Sequence, residues 1–175
     1  MPITPFHMGP GILIKALLQG GFSLLVFGWA QIVMDLQPLV AVVTGQGQLH
    51  GFTHTYVGAT LIALFSAVTG KYFAQWTFAV LSDKGIVLRW WVAFLSAAIG
   101  AYSHVVFDSI MHTDMEPLWP FSQSNGLLGL VSVPALHEIC VYSGLVGVVM
   151  YLALSYLLSN GKMCSGRKNP GIHQE

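Results

Sequence analysis

The chain has 175 residues, of which 54% are hydrophobic and only 8% charged, and no net charge when histidine is neutral. Soluble domains carry about 25% charged residues, so this chain lacks the polar surface of a water-soluble fold. The balanced charge also excludes the basic face of a nucleic-acid binder. The expectation is an all-α polytopic membrane helix bundle. It has four to five transmembrane helices and one interfacial connector helix. Residues 1–160 form a single membrane-embedded domain and 161–175 a disordered cytoplasmic tail.

The first apolar region runs from about Gly11 to Met34. It lacks the basic start of a cleaved signal peptide, so it is expected to be retained. The stretch "LLQGGFSLL" places Gly20 and Gly21 in its middle. Each glycine weakens a helix by about 1 kcal/mol relative to alanine. The region is therefore either one kinked span or a hairpin of residues 4–19 and 22–35, with Lys15 reaching the cytoplasmic side in both cases. A single span leaves His7 at the cytoplasmic end, whereas a hairpin brings it to the end that holds Asp35.

The second apolar region runs from about His50 to Thr69, the third from Val87 to Met111 and the fourth from Ala135 to Leu158. Residues 71–85, "KYFAQWTFAVLSDKG", are amphipathic and aromatic-rich and are expected to form the interfacial connector. Cys140 and Cys164 have no partner spacing for a disulfide or a thiolate metal site.

Charge sets the orientation. Lys71, Lys84 and Arg89 flank the second connection, and Lys162, Arg167 and Lys168 lie in the tail. The loops at 35–49 and 112–134 contain no Lys or Arg. The positive-inside rule places the connector and C-terminus in the cytoplasm and those two loops on the other side. Trp76, Trp90 and Trp91 suit the cytoplasmic interface, and Trp119 and Phe121 the outer one.

On this topology the acids and histidines gather in one outer layer. Asp35 closes the first region, His50 and His54 open the second, and His104, Asp108 and His112 close the third. Asp114 and Glu116 follow in the loop, and His137 and Glu138 open the fourth. Ionisable groups at membrane depth cost several kcal/mol unless paired or hydrated. This layer contains no Lys or Arg to pair with the acids. Imidazoles and carboxylates without cations are a metal-ligand set. Steps of four make His50 and His54, and His104 and Asp108, neighbours on a helix face. Ala93, Ala97, Gly100 and Ala101 share the His104–Asp108 face, where small residues let another helix approach. His112 lies one turn further out, in an auxiliary position.

These residues also carry a resemblance. "HGFTHTYVG" (50–58) resembles the HRGxTHS stretch of the YdjM-like, LexA-regulated inner-membrane metal-dependent hydrolases. "GAYSHVVFDSIMHTDMEPLWPF" (100–121) is similar to the family's SHxxxD segment and the WPF loop after it. "VMDLQPL" (33–39) and "TPFH" (4–7) occupy the places of its PDxD turn and its early histidine. The resemblance implies a bacterial inner-membrane location and metal ligation by His54, His104, Asp108, Asp35 and His7. A ligand role for His7 requires the hairpin. Gly51 stands where the family has Arg, Met34 where it has Pro, and Gln37 where it has a second Asp. His112 and Asp114 are additional polar groups.

The leading expectation is a membrane-embedded metal-dependent hydrolase. Its metal ligands are His7, Asp35, His50, His54, His104 and Asp108. Its cofactor is one or two divalent ions, zinc first, with manganese or iron as alternatives. Glu138 or Glu116 would act as general base, and His112 or His137 would protonate a leaving group. A site at headgroup depth suits a lipid or lipid-linked phosphoester. Two other readings stand beside it: transport of a metal ion or proton, and a non-catalytic structural subunit. Transport fits less well, because the inner halves of the spans hold few polar groups beyond Lys15, Gln19 and Ser23.

Overall fold

The computed structural model describes the backbone of residues 4–82 and 85–166, and the side chains of 6–82 and 85–158. Lys84, Arg167 and Lys168, the Lys162 side chain and the end of the expected tail lie outside the described residues. Six α-helices follow one another: α1 Thr4–Leu18, α2 Leu24–Met34, α3 Leu36–Thr44, α4 Tyr56–Leu81, α5 Trp90–Met111 and α6 Val133–Gly166. No strand occurs among the described residues. Helix α6 continues past residue 161, where a disordered tail was expected to begin.

The first region is the hairpin, not the kinked span. A 3-10 turn, Gln19–Gly21, joins α1 to α2. The Lys15 ammonium closes it by donating to the Gln19 carbonyl at 2.6 Å and the Phe22 carbonyl at 2.7 Å. Ser23 caps α2 by accepting from the Val26 amide. The Ser23 amide donates to Ser96 Oγ at 2.8 Å, which sets the turn level with the interior of α5. Helix α2 has 11 residues, about 16 Å of rise, against a hydrocarbon core of about 30 Å. Helix α2 alone is thus shorter than a span, and it reaches membrane length only together with the helix that follows it.

Four stretches are long and apolar enough to cross a membrane: Leu24–Thr44, Tyr56–Leu81, Trp90–Met111 and Val133–Leu158. Two of them depart from the expected limits. Residues 36–44, expected as loop, form α3, which continues α2 beyond a break at Asp35. Pro38 has no N–H for the Met34 carbonyl, so the ladder is interrupted there. Residues 71–81, expected as a separate connector, are the last turns of α4. Their amphipathic pattern arises because one side packs in the bundle. Phe73 stacks on Trp29 at 4.8 Å, Ala74 is fully buried, and Lys71 Nζ lies 4.2 Å from the Trp90 ring centre.

The core is built from small residues on α2, α4 and α5. Ala30, Ala59, Ala67, Ala74, Ala93, Ala97 and Ala101 are all inaccessible. They let the three helices approach closely, as small residues do in lipid, where there is no hydrophobic drive between helices. Helix α6 packs on α1 through a glycine seam: a Cβ on Gly9 would lie 1.9 Å from the Cys140 carbonyl oxygen, and one on Gly147 2.6 Å from the Leu13 nitrogen. The rest of α6 exposes Leu145, Val149, Leu152 and Leu157, as a lipid-facing surface does. The start of α1, the end of α2, the start of α4, the end of α5 and the start of α6 all come to one end of the bundle.

Candidate metal centre

At that end, His104 and Asp108 stand one turn apart on α5, both buried, with His104 Nε2 3.2 Å from Asp108 Oδ2. The break at Asp35 brings its Oδ1 to 3.3 Å from the same His104 Nε2. His54 Nε2 approaches Asp108 Oδ2 at 3.6 Å. His7 Nε2, in the first turns of α1, lies 3.9 Å from Asp108 Oδ1. Donor atoms of His7, His104 and Asp108, and of Asp35, His54 and His104, form two overlapping groups, each within 4.8 Å.

Most of these separations are long for hydrogen bonds. They suit donors that share a cation: two atoms about 2.1 Å from one ion stand about 3.0–3.4 Å apart. His54 Nε2, His104 Nε2, Asp108 Oδ1 and His7 Nδ1 are buried and make no hydrogen bond among the described residues. Each such group costs about 1–3 kcal/mol if left unmet. The donor set fits a divalent ion of zinc or manganese type.

Two relays fix which imidazole nitrogen is free. The Gln31 amide donates through Nε2 to the Gly100 carbonyl at 3.1 Å, which turns Oε1 toward His104. His104 Nδ1 then donates to Gln31 Oε1 at 2.5 Å, leaving Nε2 as the lone pair that faces the carboxylates. Thr53 Oγ1 donates to Gln37 Oε1 at 2.6 Å and so accepts from His54 Nδ1 at 2.9 Å. His54 Nε2 is thereby left as the free nitrogen. These orientations follow from the hydrogen-bond network, and such outer partners set tautomer and basicity in metal sites. Burial lowers the His54 pKa to about 4, which keeps that ring neutral.

Gln31 and Thr53 were not expected as site residues. Gln31 did leave a signal: it is a polar residue in an apolar span, four residues before Asp35. Two departures from the family pattern touch each other. A Cβ on Gly51 would lie 2.0 Å from Gln37 Nε2, so the Gln37 amide occupies the space that a side chain at 51 would take.

His50 and His54 are not neighbours on a helix face. Thr55 caps α4 by accepting from the Gly58 amide, so the helix begins at Tyr56 and both histidines precede it. A 3-10 turn, Phe52–His54, directs His54 inward. It folds so tightly on α4 that a Cβ on Gly58 would lie 2.0 Å from the Phe52 carbonyl oxygen. His50 stays at the mouth, where its Nδ1 meets Asp114 Oδ2 at 2.8 Å and its ring stacks on His112 at 4.2 Å. Burial works to raise the Asp114 carboxyl, but the His50 hydrogen bond and charge outweigh it and hold the group below its ordinary range.

A cavity of about 530 Å³ opens at the mouth, lined by His50, Phe52, Asp114, Glu116 and Trp119 among others. Glu116 is half-buried there, while Glu138 is exposed on α6. His137 packs on Phe6 at 4.8 Å, and its buried Nε2 makes no hydrogen bond among the described residues. The fold thus unites His7, Asp35, His54, His104 and Asp108, sets His50, His112, Asp114 and Glu116 beside them, and leaves Glu138 at the surface.

The model of the YdjM inner membrane protein family matches residues 21–163, and the chain belongs to that family. It is a multi-pass membrane protein, as its four apolar spans require. No curated protein and no solved structure matches it. Helix α1 and His7 precede the matched stretch, so their place at the site comes from the hairpin alone.

Proposed function

We propose that this member of the YdjM family is a membrane-embedded metal-dependent hydrolase. Its site lies near the outer face of the inner membrane, with the C-terminus in the cytoplasm. The observation that carries this reading is the set of buried, unpartnered donors on His7, His54, His104 and Asp108, with Asp35 beside them. His7, Asp35, His54, His104 and Asp108 would hold a divalent ion, zinc by preference. Such an ion lowers the pKa of water and polarises a phosphoryl or carbonyl oxygen.

The chain's own residues supply the rest. Gln31 and Thr53 hold His104 and His54 in the tautomer that presents Nε2. Glu116 lines the mouth cavity and is the best placed proton acceptor of the groups expected for that role. Trp119, 6.0 Å edge-on to Phe52, gives the cavity an apolar wall at headgroup depth. An apolar wall there suits the hydrocarbon part of a lipid or lipid-linked substrate, and a bound divalent ion would attract its phosphoester. The charge distribution supports this orientation: Lys15, Lys71 and Arg89 all lie toward the other end of the bundle.

The test is metal content and hydrolysis of lipid phosphoesters by detergent-purified protein. Bound zinc and turnover, both lost in His104→Ala, are expected. Unchanged metal content in that variant would remove the reading.

A further inference from the structure

The inner cluster does not account for every ligand at this end of the molecule. Donor atoms of His50, Asp108 and His112 form a third group, again within 4.8 Å of one another. His112 Nε2 is buried and makes no hydrogen bond among the described residues. Asp108, only 4% exposed, has its Oδ1 in the same condition. The rings of His50 and His112 stack at 4.2 Å and 28°, an arrangement that two charged imidazoles would oppose. The Asp114 carboxylate on His50 Nδ1 repeats the outer carboxylate that commonly backs a metal-bound histidine.

We propose that His50, His112 and Asp108 hold a second divalent cation at the mouth of the site, with the Asp108 carboxylate shared between it and the inner ion. This rests on the metal-centre reading above and extends it. Asp108 is common to both groups: its oxygens lie 3.2 Å from His104, 3.6 Å from His54 and 3.9 Å from His7, and it also offers an atom within 4.8 Å of donor atoms of both His50 and His112. Two-metal hydrolytic sites place their ions about 3.5–4 Å apart, a separation that one carboxylate spans. The mouth cavity supplies a route of entry. Its acidic members, Asp114 and Glu116, face no Lys or Arg among the lining residues, so the approach favours a cation. Two imidazoles and a carboxylate suit zinc, manganese or iron(II). His112 then acts as a ligand in place of the proton-donor role its position in sequence suggested.

The experiment is manganese loading of metal-stripped, detergent-purified protein, read by equilibrium dialysis with elemental counting and by electron paramagnetic resonance. Wild type is expected to take two ions per chain with an exchange-coupled spectrum. His50→Ala and His112→Ala are expected to retain one ion with an uncoupled spectrum. His112→Gln serves as a second variant should the alanine form fail to fold. Asp114→Asn should weaken the outer ion by about 10–100-fold and leave the inner one in place. One ion in wild type, lost in His104→Ala but not in His112→Ala, would overturn the second cation and leave the hydrolase centre standing. Metal content indifferent to His104→Ala would instead overturn the centre itself. Two ions with an uncoupled spectrum in wild type would overturn the shared carboxylate.

Discussion

The two ends of the bundle handle buried polarity in opposite ways. At the end away from the site, Lys15 satisfies two carbonyls of the hairpin turn, Lys71 lies over the Trp90 ring, and Ser96 takes the Ser23 amide. These groups are answered by the chain itself, and the result is a closed turn. At the other end, the outer-lying nitrogens of His54 and His104 are fixed by relays while their inner nitrogens are left unanswered. The same fold, under the same lipid constraint, resolves one set internally and leaves the other open. The contrast is what the proposed metal centre rests on, since a cation would answer the donors of that end together.

Four substitutions separate the two ends, from the largest effect to the smallest. His104→Ala removes the nitrogen common to both inner ligand groups. Bound metal should fall from about one ion at the inner position to background, as counted in purified protein. Gln31→Ala leaves every ligand in place but frees the His104 tautomer. The expected loss is about 10–100-fold in metal affinity, read by competition with a chelator, and Gln31→Glu should recover most of it by restoring an acceptor.

Lys15→Met acts at the opposite end and should reverse the pattern. It strands two turn carbonyls, so stability should drop by about 1–2 kcal/mol in thermal unfolding, with metal affinity unchanged. An equal loss of metal would show that the two ends are one coupled unit and would erase the contrast. Gly51→Ala is the mildest. Its Cβ displaces the Gln37 amide, a flexible group, from Thr53 and loosens the His54 relay by about 1 kcal/mol. Gly51→Arg should be costly alone and better tolerated with Gln37→Asp, a coupling that a double-mutant cycle measures.

Parts of the site could be read directly. The step of four joining His104 to Asp108, on the face lined by Ala97, Gly100 and Ala101, marked a pair turned into the bundle, and both side chains are buried there. The absence of Lys and Arg from the layer also holds in the structure, where the acids of this end face histidines. Other parts were misread for identifiable reasons. The amphipathic run at 71–81 resembled an interfacial helix because packing against Trp29 and Trp90 leaves the same pattern as lying on a membrane. His50 and His54 kept a helical spacing in a segment where the Thr55 cap delays the helix. The relays through Gln31 and Thr53 stayed hidden because a neutral side chain gains meaning only from what it touches.

The sequence by itself determined that the chain lives in a membrane, which end of each span carries its ionisable groups, and that those groups are imidazoles and carboxylates without Lys or Arg to pair with. These properties follow from composition and from local periodicity, which need no knowledge of contacts. Only the tertiary structure decided that residues 4–35 double back, that Asp35 sits at a break in a helix, and that His7, Asp35, His54, His104 and Asp108 converge from four separate segments with His50 and His112 at the mouth beside them. Those outcomes depend on how closely backbones approach at Gly100, Gly9 and Gly147 and on the ladder interrupted at Pro38. Such distances between segments are set by packing, and no local pattern encodes them.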